Sequence, residues 1–364
     1  MNEPQLTSAL RRAMSFENEG KFFEADILFR QLAQAKPDYP MAHFMYGTFK
    51  LLNGEYAAAW PYVQRRLEDE FYTRKGTMKL PKPFWNGRKQ PKKTLLVHID
   101  QGIGDAIMCA RYIPAAADRV KQLIFAVHKR MGRFFSRIDP RIRMVEIGDP
   151  VPEFDVHIDL FSLLPMFGAA PGNIPEPPYL TAEPKVAAKW KKRLAGREFR
   201  VGLAWQGTPV HPRDQERSMK LKELEPLMRT PGVKFYGLQI GPGAEQAKDV
   251  PSEIAFENLE SDLADAAANM VDTAGAVANL DLVVSVDSAV AHLAAAMGVP
   301  TWVPTYNVPD WRWQYIAQLD PLRWENAPWY PKARIFRKSI RYDWTEPVAR
   351  MAALLADEAA KKRR

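Results

Sequence analysis

The sequence predicts a parallel α/β protein in two halves, preceded by a short all-α region. Three observations carry this: a helical pattern near the start that recurs at a constant step of 34 residues, two later series of short β-branched runs alternating with helical patterns, and a Pro-rich crossover between those series. At 364 residues the chain has room for two or three units of roughly 100 to 150 residues each.

The first element spans 1–70. Gly20, Phe22, Ala25 and Phe29 are echoed by Gly54, Tyr56, Ala59 and Val63, and Pro37 closes the first unit. A helix pair with Gly at its turn, small Ala where helices touch and Pro at its end resembles the tetratricopeptide repeat. Only two units are visible, whereas about three stacked repeats normally bury a continuous core. The pair is therefore expected to dock on the following domain or on another subunit, the latter giving a homo-oligomer. A helical cap without a partner is the alternative.

Residues 71–93 lose periodicity and gain Lys, Pro and Gly, which predicts a linker anchored by Phe84-Trp85. The first α/β unit, 94–184, carries strands over 94–99, 123–127, 143–147 and 156–160, with helices from about Asp105 and near 130–137. Pro171, Pro175, Pro177, Pro178 and Pro184 mark the crossover that ends it. The second unit, 185–345, carries strands over 199–205, 234–239, 253–256, 282–286 and 301–303. A last helix at about 346–360 lies in the segment 346–364, which ends in the basic tail Lys361-Lys362-Arg363-Arg364, and it can close across either half. Two such halves place a cleft between the carboxyl ends of their strands, where open sheets bind ligands.

Composition is that of a globular protein, 46% hydrophobic and 26% charged, and the 30 Pro and 10 Trp point to rigid loops with aromatic anchors. A single cysteine, Cys109, rules out an intramolecular disulfide. No stretch reads as a signal peptide or as a span of about 20 apolar residues, so a cytoplasmic location without a membrane span is expected. The formal charge of +8 favours anionic partners such as sugar nucleotides, nucleic acid or acidic lipid, without choosing among them. A solvated basic surface is the competing use of that charge.

Chemistry concentrates at 272–300. The apolar run 282–286 reads as a buried parallel strand, Asp287-Ser288 ends it, and an Ala-rich helix over 289–297 stops at Gly298 and Pro300. Asp287 or Ser288 caps that helix, whose first N–H groups stay unpaired. Such a helix start at the end of a parallel strand suits an anion, which suggests a nucleotide-type ligand. An ordinary strand-to-helix junction would look the same.

A second turn, His98 to Asp105, runs a strand through Gly102 and Gly104 into a helix, although the full G-x-G-x-x-G fingerprint is absent. Asp105 with Pro114 nine residues later, taken with Asp287-Ser288 and His292, resembles the heptosyltransferase-like glycosyltransferases of the two-domain GT-B fold. The likeness extends through 202–207, Arg217-Ser218 with Leu221, Leu238-Gln239, Asp272-Thr273 and Pro309-Asp310-Trp311-Arg312-Trp313. Together these resemble the branch in which tetratricopeptide repeats precede the catalytic region.

The resemblance implies two Rossmann-like domains facing a cleft, with the acceptor on 94–184 and a nucleotide-sugar donor on 185–345. It implies inverting, metal-independent transfer of the sugar to a hydroxyl of a protein or glycan acceptor. Asp105 takes the place of the family's general base, with helix capping as its competing use. The leaving diphosphate needs stabilisation, for which Arg217 is the leading cation, Arg213 and Lys220 its substitutes, and Ser288, Ala289 and His292 the cradle. Gln239, Asp272, Thr273 and Asp287 are expected around the nucleoside and donor sugar, with Gly102, Gly104 and Gly207 as cleft backbone. Gln206, Tyr306, Asp310 and Trp311 are expected to meet sugar or acceptor, whereas Trp313, Trp324 and Trp329 suit packing. No cofactor and no metal site are expected: the six histidines are scattered and no Asp-x-Asp follows a strand. Two other readings stand beside this one: transfer to a modified base of DNA, and a non-catalytic scaffold that keeps the fold.

Overall fold

The computed structural model describes residues 3–69, 80–264, 270–313, 326–339 and 343–363. Residue 70 and the first part of the expected linker, 71–79, lie outside the described residues, as do Trp324 and Arg364. Among the described residues no helix is long and apolar enough to cross a membrane.

Four helices open the chain: α1 (Glu3–Asn18), α2 (Phe22–Ala35), α3 (Pro40–Leu52) and α4 (Tyr56–Gln64). On α2 the buried residues are Ala25, Phe29, Leu32 and Ala33, one helical face, and they pack with Leu6, Leu10 and Ala13 of α1 and with Ala42, Tyr46 and Phe49 of α3. The turns joining each hairpin place Gly20 at φ +74° and Gly54 at φ +81°. Both need the left-handed conformation that glycine enters without penalty, so the repeat is one of backbone geometry as well as of residue type. At Gly47 an added Cβ would lie 2.7 Å from Val63 Cγ2, so α3 and α4 touch nearly backbone to backbone.

The second hairpin docks on the α/β body. Its residues Leu51, Tyr56, Ala59, Trp60 and Val63 belong to the same apolar core as Val97, Ile107 and Ala291. Trp60 donates its indole N–H to the Ala169 carbonyl at 2.8 Å and meets Trp311 edge to face at 6.2 Å. Arg66, in the 3-10 turn after α4, reaches the end of the first sheet and pairs with Asp159, with Ser162 Oγ at 2.9 Å.

The first sheet is parallel throughout, with β1 (Gln90–His98), β2 (Val120–Val127), β3 (Arg143–Glu146) and β4 (Val156–Asp159) in the order β3-β2-β1-β4. The second comprises β5 (Phe199–Ala204), β6 (Val233–Gly237), β7 (Phe256–Asn258), β8 (Leu282–Ser285), β9 (Thr301–Thr305), β10 (Asn326–Ala327) and β11 (Tyr330–Arg337). Its order is β10-β11-β9-β8-β5-β6-β7, and within it β10 runs antiparallel to β11. Leu282 to Ser285 are all buried, as expected of a parallel strand covered on both faces.

One expected strand needs correction, and two strands went unforeseen. The strand expected at 253–256 starts at Phe256, because Pro251 to Ile254 form a turn closed by Ile254 N–H on the Pro251 carbonyl. Strands β10 and β11 were not anticipated, since Pro331, Lys332 and Arg334 interrupt the apolar pattern of β11. Of the two halves open to it, the last helix, Thr345–Arg363, lies on the second: Val348, Met351 and Leu355 pack with Leu224 and Leu227. The helix Pro184–Arg193 that follows the crossover also joins the second half, its Trp190 filling the space that a Cβ on Gly275 would need.

Candidate functional site

Both sheets end at one cleft of about 510 Å³. From the first half, β1 leads through Asp100 and Gln101 into the helix Ile103–Cys109, whose first turn carries Asp105. From the second, β8 leads through Val286 and Asp287 into the helix Ala289–Ala296, where Ser288 Oγ accepts the Val290 N–H at 3.2 Å as the N-cap. Ser288, not Asp287, therefore caps this helix. The two helices meet at Gly104, where an added Cβ would lie 3.0 Å from His292 Cδ2 and 3.6 Å from the Ala289 Cα. Gly104 thus sets how closely the two helix starts approach. Gly102, at φ −68°, is in ordinary backbone space.

Gly102, Gly104, Asp105, Gln206, Gly207, Arg217, Gln239, Thr273, Asp287, Ser288, Ala289, His292 and Asp310 all line the cleft. Three expected residues lie elsewhere. Asp272 accepts the Trp190 indole N–H at 2.8 Å and pairs with Lys189 at 3.0 Å, so it ties two helices of the second half together. Tyr306 is buried beneath the Arg213 guanidinium, 4.0 Å above its ring. Trp311 packs edge to face with Trp60, Phe161 and Trp329, an aromatic junction between the helical hairpins and the body. Of the substitute cations, Arg213 pairs with Glu216 at 2.8 Å, and neither it nor Lys220 lines the cleft.

Several lining groups already serve the protein. Gln239 accepts the backbone N–H groups of Trp205 and Gln206 at 3.2 and 3.0 Å and donates to the Pro242 carbonyl at 3.0 Å, so its amide latches the turn after β5. Arg217 donates to Asp214 at 3.1 Å, to the Asp287 carbonyl at 3.1 Å and to the Thr208 carbonyl at 3.4 Å. It closes against Gly207, where a Cβ would meet its Cζ at 2.6 Å. His292 Nδ1 is 2.9 Å from the Tyr330 hydroxyl, and its ring stacks on Trp313. Burial, then the charge of Arg312, drives its pKa down to about 3, so this imidazole is neutral.

The residue that sequence reasoning missed is Arg312. It bridges the halves, pairing with Asp105 through one guanidinium nitrogen and with Asp310 at 2.7 Å through the other. Burial would raise the Asp310 carboxyl, but Arg312's charge and hydrogen bonds outweigh it and hold the group below the usual carboxylate range. Asp287 is pushed up, first by burial and then by the charge of Asp310. The signal was available, since Arg312 sits two residues from Asp310 within the aromatic loop. His211, also on the cleft wall, was missed as well; burial and Arg217 lower its pKa. Among the described residues no group of three or more His, Cys, Asp or Glu could hold a metal ion.

No family model matches the sequence. Protein FlbA of Caulobacter vibrioides is 26% identical over 344 residues, covering 89% of this chain and 56% of that protein, so the chain spans about half the length of this curated relative. Among solved structures, Escherichia coli ADP-heptose LPS heptosyltransferase II superposes with a TM-score of 0.52 at 14% identity, covering 74% of this chain and 100% of that one. The family 9 glycosyl transferase of Veillonella parvula gives 0.50 at 10% identity, covering 76% and 98%. Two parallel sheets with their strand ends at a common cleft, matched along the full length of the first of these structures, give the chain a glycosyltransferase fold of the GT-B type.

Proposed function

We propose that the protein is an inverting, metal-independent glycosyltransferase that moves a sugar from a nucleotide-sugar donor to a hydroxyl of a protein or glycan. The observation that carries this reading is a carboxylate, Asp105, facing a capped helix start and two arginines across one cleft. Each half contributes what the reaction needs from its side.

The donor lies against the second half, its diphosphate at the N–H groups that open the helix Ala289–Ala296 and beside the arginines, where negative charge grows as the bond to the sugar breaks. Asp105 removes the proton from the acceptor hydroxyl. The acceptor oxygen then bonds to the anomeric carbon from the face opposite the phosphate, the bond from that carbon to the phosphate oxygen breaks, and nucleoside diphosphate leaves. Gln239 positions the turn after β5 instead of reading the base directly. Thr273, Gln206 and Asp287 remain as lining groups for nucleoside and sugar. The helical hairpins, read as tetratricopeptide-like, sit beside the body as a support for the acceptor.

Isothermal calorimetry with ADP, GDP, UDP, CDP and dTDP tests the donor side. At least one should bind the wild-type protein, and its sugar conjugate should compete. Absence of binding across the series overturns the reading.

A further inference from the structure

We propose that Arg312 is an exchanging cation: it holds Asp105 while the cleft is empty and transfers to the donor's diphosphate when that enters, which frees Asp105 to act as base. This rests on the glycosyl-transfer reading above and adds to it an order of events, donor before proton abstraction.

Arg217 uses Nε and both terminal nitrogens on Asp214, the Asp287 carbonyl and the Thr208 carbonyl, so it braces the loop over the cleft. Arg312 is differently held. One terminal nitrogen and its own backbone N–H are anchored on Asp310, at 2.7 and 3.0 Å, in the same loop. The other terminal nitrogen reaches across to Asp105, which belongs to the opposite half. The guanidinium can therefore rotate its outer edge while Asp310 retains the inner one.

Both partners of the cross-cleft pair keep access to the cavity, with side-chain exposures of 15% for Arg312 and 22% for Asp105. A diphosphate carries more charge than a carboxylate and offers paired oxygens that fit a guanidinium edge. It enters beside Ser288 and Ala289, which line the same cleft as Arg312. While Arg312 holds Asp105 Oδ1, that oxygen is closed to an acceptor hydroxyl. Transfer of Arg312 to the phosphates removes that restraint only when a donor is in place.

The exchange predicts a coupling between Asp105 and Arg312 that mere loss of a negative charge beside the diphosphate would not produce. With Asp105→Asn the competitor for Arg312 is neutral, so the nucleoside diphosphate that binds best among ADP, GDP, UDP, CDP and dTDP should bind about 5- to 20-fold more tightly than to wild type, by calorimetry. Arg312→Gln should weaken binding by about tenfold or more, and in the double variant the gain from Asp105→Asn should vanish. Thermal melts check that each variant is folded, and Arg312→Lys, which keeps the charge but cannot grip Asp310 and a phosphate edge at once, replaces Arg312→Gln in the cycle if that variant does not fold. Unchanged or weaker binding by Asp105→Asn overturns the exchange while leaving the donor site intact. A gain that persists without Arg312 overturns it too. If neither wild type nor Asp105→Asn binds any of the five nucleotides, the glycosyl-transfer reading fails and the exchange with it.

Discussion

Replacing Arg66 with Met removes the charge that fixes the helical hairpins to the first sheet while keeping a long apolar stem. The Arg66 and Asp159 side chains are 1% and 0% exposed, and Asp100 lies 3.6 Å from the same guanidinium nitrogen. Burial would raise Asp159, but Arg66 and Ser162 outweigh it and hold the carboxyl low. Asp100 is already pushed up, by burial and then by the charge of Asp159. Removing one partner of a buried pair leaves uncompensated charge and costs about 3–5 kcal/mol, a large share of the roughly 5–15 kcal/mol that stabilises a typical domain. Without Arg66, the main cation that lowers both carboxyls is gone, so burial should carry Asp159 as well as Asp100 above the unfolded value. The folded state then keeps protons that the unfolded chain releases above about pH 4, so stability is full below that pH and falls as pH rises. The penalty should accordingly be larger at pH 8 than at pH 5 in urea titrations followed by tryptophan fluorescence. A loss below about 1 kcal/mol at both pH values, the range of exposed pairs, would show that Arg66 does not hold the hairpins to the sheet through a buried charge.

Two further outcomes follow from the cleft. His292, with a folded-state pKa of about 3, is neutral in the folded state, whereas the unfolded imidazole takes a proton below about pH 6.5. Its contribution is present above that pH and lost below it, by about 2 kcal/mol at pH 5, so His292→Gln should flatten the acid limb of the stability profile; an unaltered limb contradicts this. Gly104→Val should force apart the helices that meet at His292, lowering stability by about 1–3 kcal/mol and nucleotide affinity with it. Wild-type melting and binding would show that the close approach does not set the cleft.

The strands of both sheets were legible because buried parallel strands read as short apolar runs, as at 282–285, and the hairpins because Gly20 and Gly54 mark equal turns. β11 was not, because its apolar residues are spaced by Pro331, Lys332 and Arg334 and its pairing with β9 and β10 makes the segment a strand. In the site, a sequence points to Asp105, Ser288 and His292 through local turn and helix signals. Which polar groups are free is a matter of tertiary pairing. Asp272 faced Trp190 and Lys189, Gln239 was occupied by two backbone N–H groups, and Trp311 was drawn into the junction with Trp60. Arg312 shows the reverse case: its place beside Asp310 is a local signal, but its pairing with Asp105, far away in sequence, appears only where the two halves meet.

Turnover reads out glycosyl transfer and the role of Asp105 together. Wild-type protein and Asp105→Asn are incubated with nucleotide sugars and a cell extract as acceptor source, and mass spectrometry follows both nucleoside diphosphate release and added sugar mass. Wild type should transfer the sugar, and Asp105→Asn should do so about 10²- to 10⁴-fold more slowly while still binding the nucleotide. Equal turnover by the two proteins would contradict the account.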